Sequence, residues 1–239
     1  MDNIKRIRSR AFTIAQNMFI ALCCIITFSN AAESVREMMA EEVTTLPSLY
    51  DFYSKHTSPY ERRYFMQYAP EYLAKFGVSD APLWLSLALD SALGSNYVPL
   101  TISAVNCIGD MKIESFSGKL VNEFNNSGKK PDLSLAFRIA VLESFKKFPP
   151  SLTMEENIGL LLKNFRLDRI FDPDFTALME ATMLFGSKEY ISYIDNFEAK
   201  VNSITSLNVQ APEKQYELNR VKQLIKRTKN SISIKEVVK

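Results

Sequence analysis

Three aspartates near one predicted loop come closest, among the residues of this chain, to an arrangement that could do chemistry. They are Asp168, Asp172 and Asp174. Paired carboxylates can hydrolyse glycosides, and clustered carboxylates can hold a divalent cation through oxygen ligands. Asp172 precedes a proline, however, where it is expected to cap a helix, and Asp174 suits the positively charged first turn. These structural roles account for two of the three carboxylates.

Other reactive side chains are few. His56 is the single histidine, which rules out a two-histidine zinc motif and argues against a histidine-based triad. Cys107 is the one cysteine outside the N-terminal segment, and it occupies the position of a small buried residue on a predicted helix. The chain has no glycine-rich phosphate loop and no nucleophile elbow. The sequence therefore predicts no catalytic residue, no cofactor and no metal site.

Residues 1–31 have the composition of a secretory signal peptide. Four basic side chains precede an apolar run of 11 residues over 18–28, and small residues follow. The run is shorter than the roughly 20 residues that span a bilayer, so we expect cleavage after Ala31 or Ala32. Two alternatives stay open: an uncleaved anchor, and a lipoprotein modified at a cysteine of the run, although the residue before Cys23 is larger than a lipobox requires.

The composition of the chain favours an all-α fold. The 239 residues are 46% hydrophobic and include only seven glycines, which is typical of a helical globular protein. Removing residues 1–31 lowers the formal net charge from +2 to −1. Residues 213–239 carry +5, so the segment before them carries about −6. A single remaining cysteine excludes a disulfide within one mature chain.

Helix signals recur along the chain in pairs. Ser58 and Glu61 form a predicted capping box, and Gly77 supplies a left-handed stop for the same helix. Thr153 and Glu156 predict a second capping box. The pattern predicts four helical hairpins with short loops, followed by a last helix that ends near residue 229.

A period of 37 residues organises these helices. The segment TISAVNCIGDM over 101–111 recurs as RIAVLESFKKF over 138–148, and ALMEA over 177–181 matches part of it again. A fixed period of this length predicts stacked helical hairpins. A single hairpin cannot cover its own apolar face, so neighbours must stack and the ends need polar caps.

These segments resemble the HEAT repeat, in which an Arg or polar residue opens a helix rich in Ala, Val and Leu. The similarity covers 97–199, with Gly109 where such repeats often end their first helix. It implies a right-handed α-solenoid of about four stacked hairpins over 58–210. A polar leader with a short helix over 32–57 would precede it, and a basic capping helix and tail over 211–239 would follow. The resemblance also implies a concave face that binds proteins or peptides.

Two helix faces are candidates for binding a partner. A stripe of tyrosines at four-residue spacing could form an interface, because Tyr is favoured there, although core contacts would explain the same spacing. A basic face on the last helix could meet an acidic protein, anionic lipid or nucleic acid, or could be a solvated cap. Export argues against nucleic acid, and sparse aromatic residues argue against membrane insertion. The candidate residues are Tyr60, Tyr64, Tyr68, Tyr72, Lys222, Lys226 and Lys229.

The function expected from these patterns is that of a secreted or periplasmic scaffold or adaptor. It would bind a protein partner in a cell-envelope assembly, without enzymatic activity and without a cofactor. The alternative is an envelope enzyme, such as a glycan hydrolase that uses Asp168 and Asp172. The enzyme predicts that single carboxylate-to-amide changes abolish an activity, whereas the scaffold predicts that charge reversals along one helix face weaken a complex.

Overall fold

A computed structural model of the protein describes residues 33–127, 135–205 and 212–238. All regular structure in these residues is helical, and none of them lies in a β-strand. The chain forms two compact units, one that runs up to Phe76 and one that begins at Gly77. The prediction of an all-α fold is confirmed. The predicted signal peptide over 1–31 lies outside the described residues.

The first unit contains α1 over 33–42, α2 (Leu46–Lys55) and α3 (Pro59–Lys75). The second unit contains α4 (Leu83–Leu93), α5 (Val98–Asp110), α6 (Ser117–Asn126), α7 (Leu135–Phe145), α8 (Leu152–Asn164), α9 (Pro173–Phe185), α10 (Ile191–Thr205) and α11 (Pro212–Val238). Short 3-10 turns precede α6, α9 and α10 at Glu114–Phe116, Leu167–Arg169 and Lys188–Tyr190.

The ends of α3 follow the sequence signals. The backbone N–H of Glu61 donates to the Ser58 hydroxyl at 3.1 Å, and the Glu61 carboxylate accepts from the Ser58 N–H at 3.3 Å. This reciprocal capping box satisfies two backbone donors that the helix leaves unpaired. Gly77 follows α3 with a φ of +71°, as predicted for a left-handed stop.

The segment before α2 is more ordered than a polar leader. Residues 33–42 form the regular helix α1, in which Val35 and Met39 are buried. These two residues lie four apart and so share one face of the helix. Two buried apolar residues in a charged segment are a weak periodic signal. The sequence alone therefore predicts a polar leader here and not a full helix.

Helices of the second unit pack against near neighbours in the chain. Consecutive helices contact each other in the pairs α4–α5, α6–α7, α8–α9 and α10–α11. In addition, α5 packs on α7, α7 on α9 and α9 on α11, while α6 packs on α8. Three buried rings join the end of α8 to α9 and α10, with centroid distances of 5.2–6.0 Å among Phe165, Phe175 and Phe197.

Gly109 sets the close approach of α5 and α7. A Cβ atom at this position would lie 2.8 Å from the Cα atom and 2.9 Å from the Cβ atom of Ser144. The Ser144 hydroxyl donates to the Val105 carbonyl oxygen at 3.0 Å, which ties the two helices together. α5 ends at Asp110, one residue beyond Gly109, so the helix ends close to the expected position. The role of Gly109 is to remove a side chain from the helix crossing.

Two predicted helix boundaries are wrong. α8 begins at Leu152 and is capped by Ser151, whose hydroxyl accepts a hydrogen bond from the Met154 N–H at 3.2 Å, so Thr153 is not its cap. α11 continues to Val238 instead of ending near residue 229, and Ile232 is buried. Tertiary burial therefore extends α11 beyond the point at which its local sequence predicts fraying.

The second residue after the end of α5 adopts a left-handed backbone conformation. Lys112 has a φ of +55°, a region that costs a residue with a Cβ atom about 1 kcal/mol. The Lys112 N–H donates to the Gly109 carbonyl at 3.1 Å, and the Ile113 N–H donates to the Ile108 carbonyl at 3.0 Å. This pair of bonds is the Schellman motif, in which glycine is favoured at the position of Lys112.

We expect Lys112→Gly to raise the free energy of unfolding of the second unit by about 0.5–1 kcal/mol, because glycine adopts this φ without strain. Urea denaturation followed by the fluorescence of Trp84, the single tryptophan, measures the change. The matched control is Lys200→Gly, an exposed position inside α10, where the same substitution should lower stability by about 1 kcal/mol. A loss of stability in both variants would contradict the prediction.

Candidate partner-binding surfaces

The four tyrosines of α3 differ in exposure. Tyr64 and Tyr72 are buried, whereas Tyr60 and Tyr68 are half-buried. Residues at four-residue spacing advance by about 40° around a helix at each step, so a long stripe cannot keep one environment throughout. The first and third members therefore retain surface that a partner could contact.

Three of these rings each have a cation above them. The cation–ring pairs, with the distance from the cationic centre to the ring centroid, are Arg63 over Tyr64 at 4.9 Å, Arg36 of α1 over Tyr68 at 5.9 Å and Lys75 over Tyr72 at 5.6 Å. Cation–π contacts at exposed sites contribute about 0.5–1 kcal/mol each. We call these three cations and the four tyrosines the tyrosine–cation face.

The tyrosine–cation face has internal order. The rings of Tyr60 and Tyr64 meet edge to face at a centroid distance of 5.1 Å, an arrangement that aromatic pairs favour. Burial raises the pKa of Tyr72, the charge of Glu71 raises it further, and Arg36 opposes them. The Tyr72 phenol is therefore neutral at physiological pH.

The three predicted lysines of α11 have different surroundings. The Lys229 ammonium lies 2.5 Å from carboxylate oxygens of both Asp195 and Glu198 on α10. Hydrogen bonds to these two groups raise its pKa, so Lys229 stays charged and links α10 to α11. Lys222 is half-buried and Lys226 is exposed. Neither has a carboxylate within ion-pair distance among the described residues, so these two remain predicted contact residues.

The side of α11 opposite the solvent is apolar. Its buried residues are Leu218, Val221, Ile225, Thr228 and Ile232. They recur at spacings of three and four residues, as one face of a helix requires. On the neighbouring stripe, the Arg220 guanidinium donates to the Thr176 hydroxyl of α9 at 2.9 Å. The basic helix is thus an integral part of the second unit.

The three aspartates of the predicted acidic cluster do not share one environment. Asp168 is exposed and forms two hydrogen bonds with the Arg166 guanidinium, which lower its pKa. Asp172 is the N-cap residue of α9, as predicted, but its side chain makes no capping hydrogen bond. Asp174 is fully buried and forms an ion pair with Arg138 of α7, with an Nε–Oδ2 distance of 2.5 Å.

The contacts of His56 and the burial of Cys107 fit structural roles for both residues. His56 Nδ1 lies 3.1 Å from a Glu61 carboxylate oxygen, and the imidazole stacks on Phe52 at a centroid distance of 4.1 Å. Burial raises the pKa of the Cys107 thiol, which keeps it protonated. Among the described residues, no group of three or more His, Cys, Asp or Glu side chains could hold a metal ion. In the same residues, no helix is both long enough and apolar enough to cross a membrane.

One apolar surface of the second unit was not predicted from the sequence. Leu152 of α8, Leu184 of α9 and Ile234 of α11 are exposed and line a groove of about 580 Å³. The Lys235 ammonium lies at its edge and donates to the Leu184 carbonyl at 2.5 Å. These residues come from three helix ends that are distant in the sequence, so no local pattern could have identified the groove.

Comparison of the chain with protein-family models, with curated proteins and with solved structures finds no match. The function must therefore be inferred from the packing and the surfaces of the chain itself.

Proposed function

We propose that this protein is a non-enzymatic scaffold that binds a protein partner through the tyrosine–cation face of its first unit. The observation that carries the proposal is the placement of Arg36, Arg63 and Lys75 over tyrosine rings. Tyr and Arg are among the residues most enriched in interface hot spots. Because ring contacts hold these long side chains before a partner arrives, binding costs less side-chain entropy.

The second unit supports a scaffold architecture, which we propose to be a short right-handed α-solenoid. Packing of α5 on α7, α7 on α9 and α9 on α11, with α6 on α8, is the order that stacked hairpins require. Cys107, Ser144 and Ala181 lie 37 residues apart in succession and are all buried. Asp110 and Lys147, also 37 residues apart, form an ion pair at 2.6 Å.

α11 fits the role of a terminal cap in such an architecture. A stack of helical hairpins needs a last element with one apolar and one polar side. α11 buries Leu218, Val221 and Ile225 and exposes Lys226 and Arg227. Its basic surface then needs no ligand to explain it, which leaves the tyrosine–cation face as the better candidate for a partner.

The proposed location is the periplasm or the exterior of the cell, reached through cleavage of residues 1–31. Support comes from the basic segment, the 11-residue apolar run and the small residues that follow it. N-terminal sequencing of the protein isolated from its source organism is expected to begin at Ala32 or Glu33. A sequence that begins at the first residue would instead support an uncleaved anchor.

Site-specific photo-cross-linking in intact cells tests the scaffold. A photoreactive side chain at Tyr68 is expected to give one dominant cross-linked product with an envelope protein. The matched control places the same group at Asp51, an exposed residue of α2 in the same unit, and should give no product. Arg63→Glu should reduce the Tyr68 product, because the reversed charge opposes the same partner.

Equal labelling from Tyr68 and Asp51, or none from either, would contradict the scaffold proposal. The enzymatic alternative would then be tested with glycan substrates and the variants Asp168→Asn and Asp172→Asn. Loss of a hydrolytic activity in either variant, with the fold retained, would establish that alternative.

A further inference from the structure

We infer that the tyrosine–cation face binds an acidic segment of the partner protein, an inference that rests on the proposed scaffold function. None of its three cations, Arg36, Arg63 and Lys75, has a carboxylate within ion-pair distance among the described residues. A cation–π contact leaves the N–H donors of a guanidinium available, and their fork matches a carboxylate bidentately. The rings therefore hold the three cations in place, while no carboxylate of the described residues pairs with them.

Some cations elsewhere in the described residues form ion pairs with carboxylates, and several of these pairs link different helices. The paired cations are Lys55, Lys119, Arg138, Lys146, Lys147, Arg166, Arg220 and Lys229. Four cations of the first unit stand over tyrosine rings without such partners among the described residues: the three of the face and Arg62, which lies over Tyr53. This arrangement is consistent with a surface whose carboxylates come from another molecule.

The spacing of the cations limits the length of the acidic segment. Arg63 and Lys75 lie 12 positions apart on α3, which corresponds to about 18 Å along the helix axis. Arg36 lies over Tyr68, between them. An extended peptide advances about 3.3 Å per residue, so about six residues span this distance. The expected ligand carries three Asp or Glu residues within such a segment.

The rest of the exposed surface of α3 favours a peptide over lipid or nucleic acid. Its exposed positions between Arg63 and Lys75 are Gln67, Glu71 and Ala74. Insertion into a membrane surface needs large apolar side chains at such positions, and none of these three residues has one. Glu71 would repel a continuous phosphate backbone. A peptide can place a neutral residue opposite Glu71 and its carboxylates opposite the cations.

The test uses the full chain and a fluorescein-labelled acidic peptide that carries three glutamates, separated by neutral residues, within a segment of about six residues. The peptide is titrated at low salt and its binding is followed by fluorescence anisotropy. Saturable binding is expected, and Arg63→Glu should weaken it about tenfold or more, because it replaces an attraction with a repulsion. The matched control is Lys55→Glu, the same charge change at an exposed residue of α2, with an expected change of less than about twofold. Circular dichroism checks that both variants are folded.

A second variant tests the role of the rings. Tyr68→Ala keeps all three cations but removes the ring under Arg36, and we expect it to weaken binding of the same peptide by about threefold to tenfold. A Tyr68→Ala variant that binds as tightly as the wild type would overturn the claim that ring contacts prepare the face for binding.

Three results would overturn the inference. One is an equal loss of binding in Lys55→Glu and Arg63→Glu, which would show that only overall charge matters. Another is stronger competition by a single-stranded oligonucleotide or by phosphatidylserine vesicles than by the same acidic peptide without its label. The third is no binding of the acidic peptide by a protein whose Tyr68 position is cross-linked to a partner in cells. That result would leave the scaffold function standing, whereas loss of both signals would remove the two proposals together.

Discussion

Replacing Asp174 with alanine is expected to lower the free energy of unfolding of the second unit by about 3–5 kcal/mol. Asp174 is fully buried, and its ion-pair partner Arg138 is only 6% exposed. Removing the carboxylate would leave a guanidinium buried without a counter-charge. Urea denaturation followed by Trp84 fluorescence, with the midpoint and the slope fitted separately, measures the effect.

Two variants separate the buried pair from a general loss of charge. Asp168→Ala removes a carboxylate that also pairs with an arginine, but at an exposed site, and should change stability far less than Asp174→Ala, because solvent screens an exposed pair. The double variant Arg138→Met with Asp174→Leu should be clearly more stable than Asp174→Ala, since apolar residues can replace a buried ion pair. Equal effects of Asp174→Ala and Asp168→Ala would contradict the prediction.

A second large loss of stability is expected from Gly109→Ala, at about 1–3 kcal/mol. Alanine is the better helix former, so helix propensity alone predicts a gain of roughly 0.5–1 kcal/mol. The added Cβ atom would, however, lie 2.8 Å from the Cα atom of Ser144. Because backbone stands in the way, α5 and α7 must move apart, and the hydrogen bond from Ser144 to Val105 would lengthen.

The control for Gly109→Ala is Gly118→Ala. Gly118 lies in the first turn of α6 and is exposed, and a Cβ atom there would meet no other atom within 4 Å. The same substitution should therefore raise stability by about 0.5–1 kcal/mol. Opposite signs for the two glycines, measured by the same urea titration, are the expected result. A gain at both positions would show that α5 and α7 can separate at little cost.

Local signals in the sequence located some of the helix ends. The capping box of Ser58 and Glu61 and the left-handed glycine at position 77 act within a few residues of themselves, so no tertiary information was needed to find them. The start of α8 was predicted wrongly because both Ser151 and Thr153 have side chains that can cap a helix. The N-cap preferences of Ser and Thr are too similar to tell which of the two residues is the cap.

The candidate face on α3 was visible in the sequence only in part. Spacing identified its tyrosines but could not tell that Tyr64 and Tyr72 are buried. Nor could it find that Arg36, from another helix, lies over Tyr68. The contact of Lys75 with Tyr72, three residues apart, follows from helix geometry. Adjacent residues such as Arg63 and Tyr64 do not face each other on an ideal helix, and a cation from α1 requires the packing of α1 against α3.

The sequence by itself determined that this chain is helical, because helix formation depends on interactions within a few residues. Tertiary structure alone decided how individual charged and small residues are used. Lys229 meets Glu198 across 31 residues, Asp174 meets Arg138 across 36, and Gly109 meets Ser144 on another helix. Such partners are set by how helices stack, which the residue types at these positions do not encode locally.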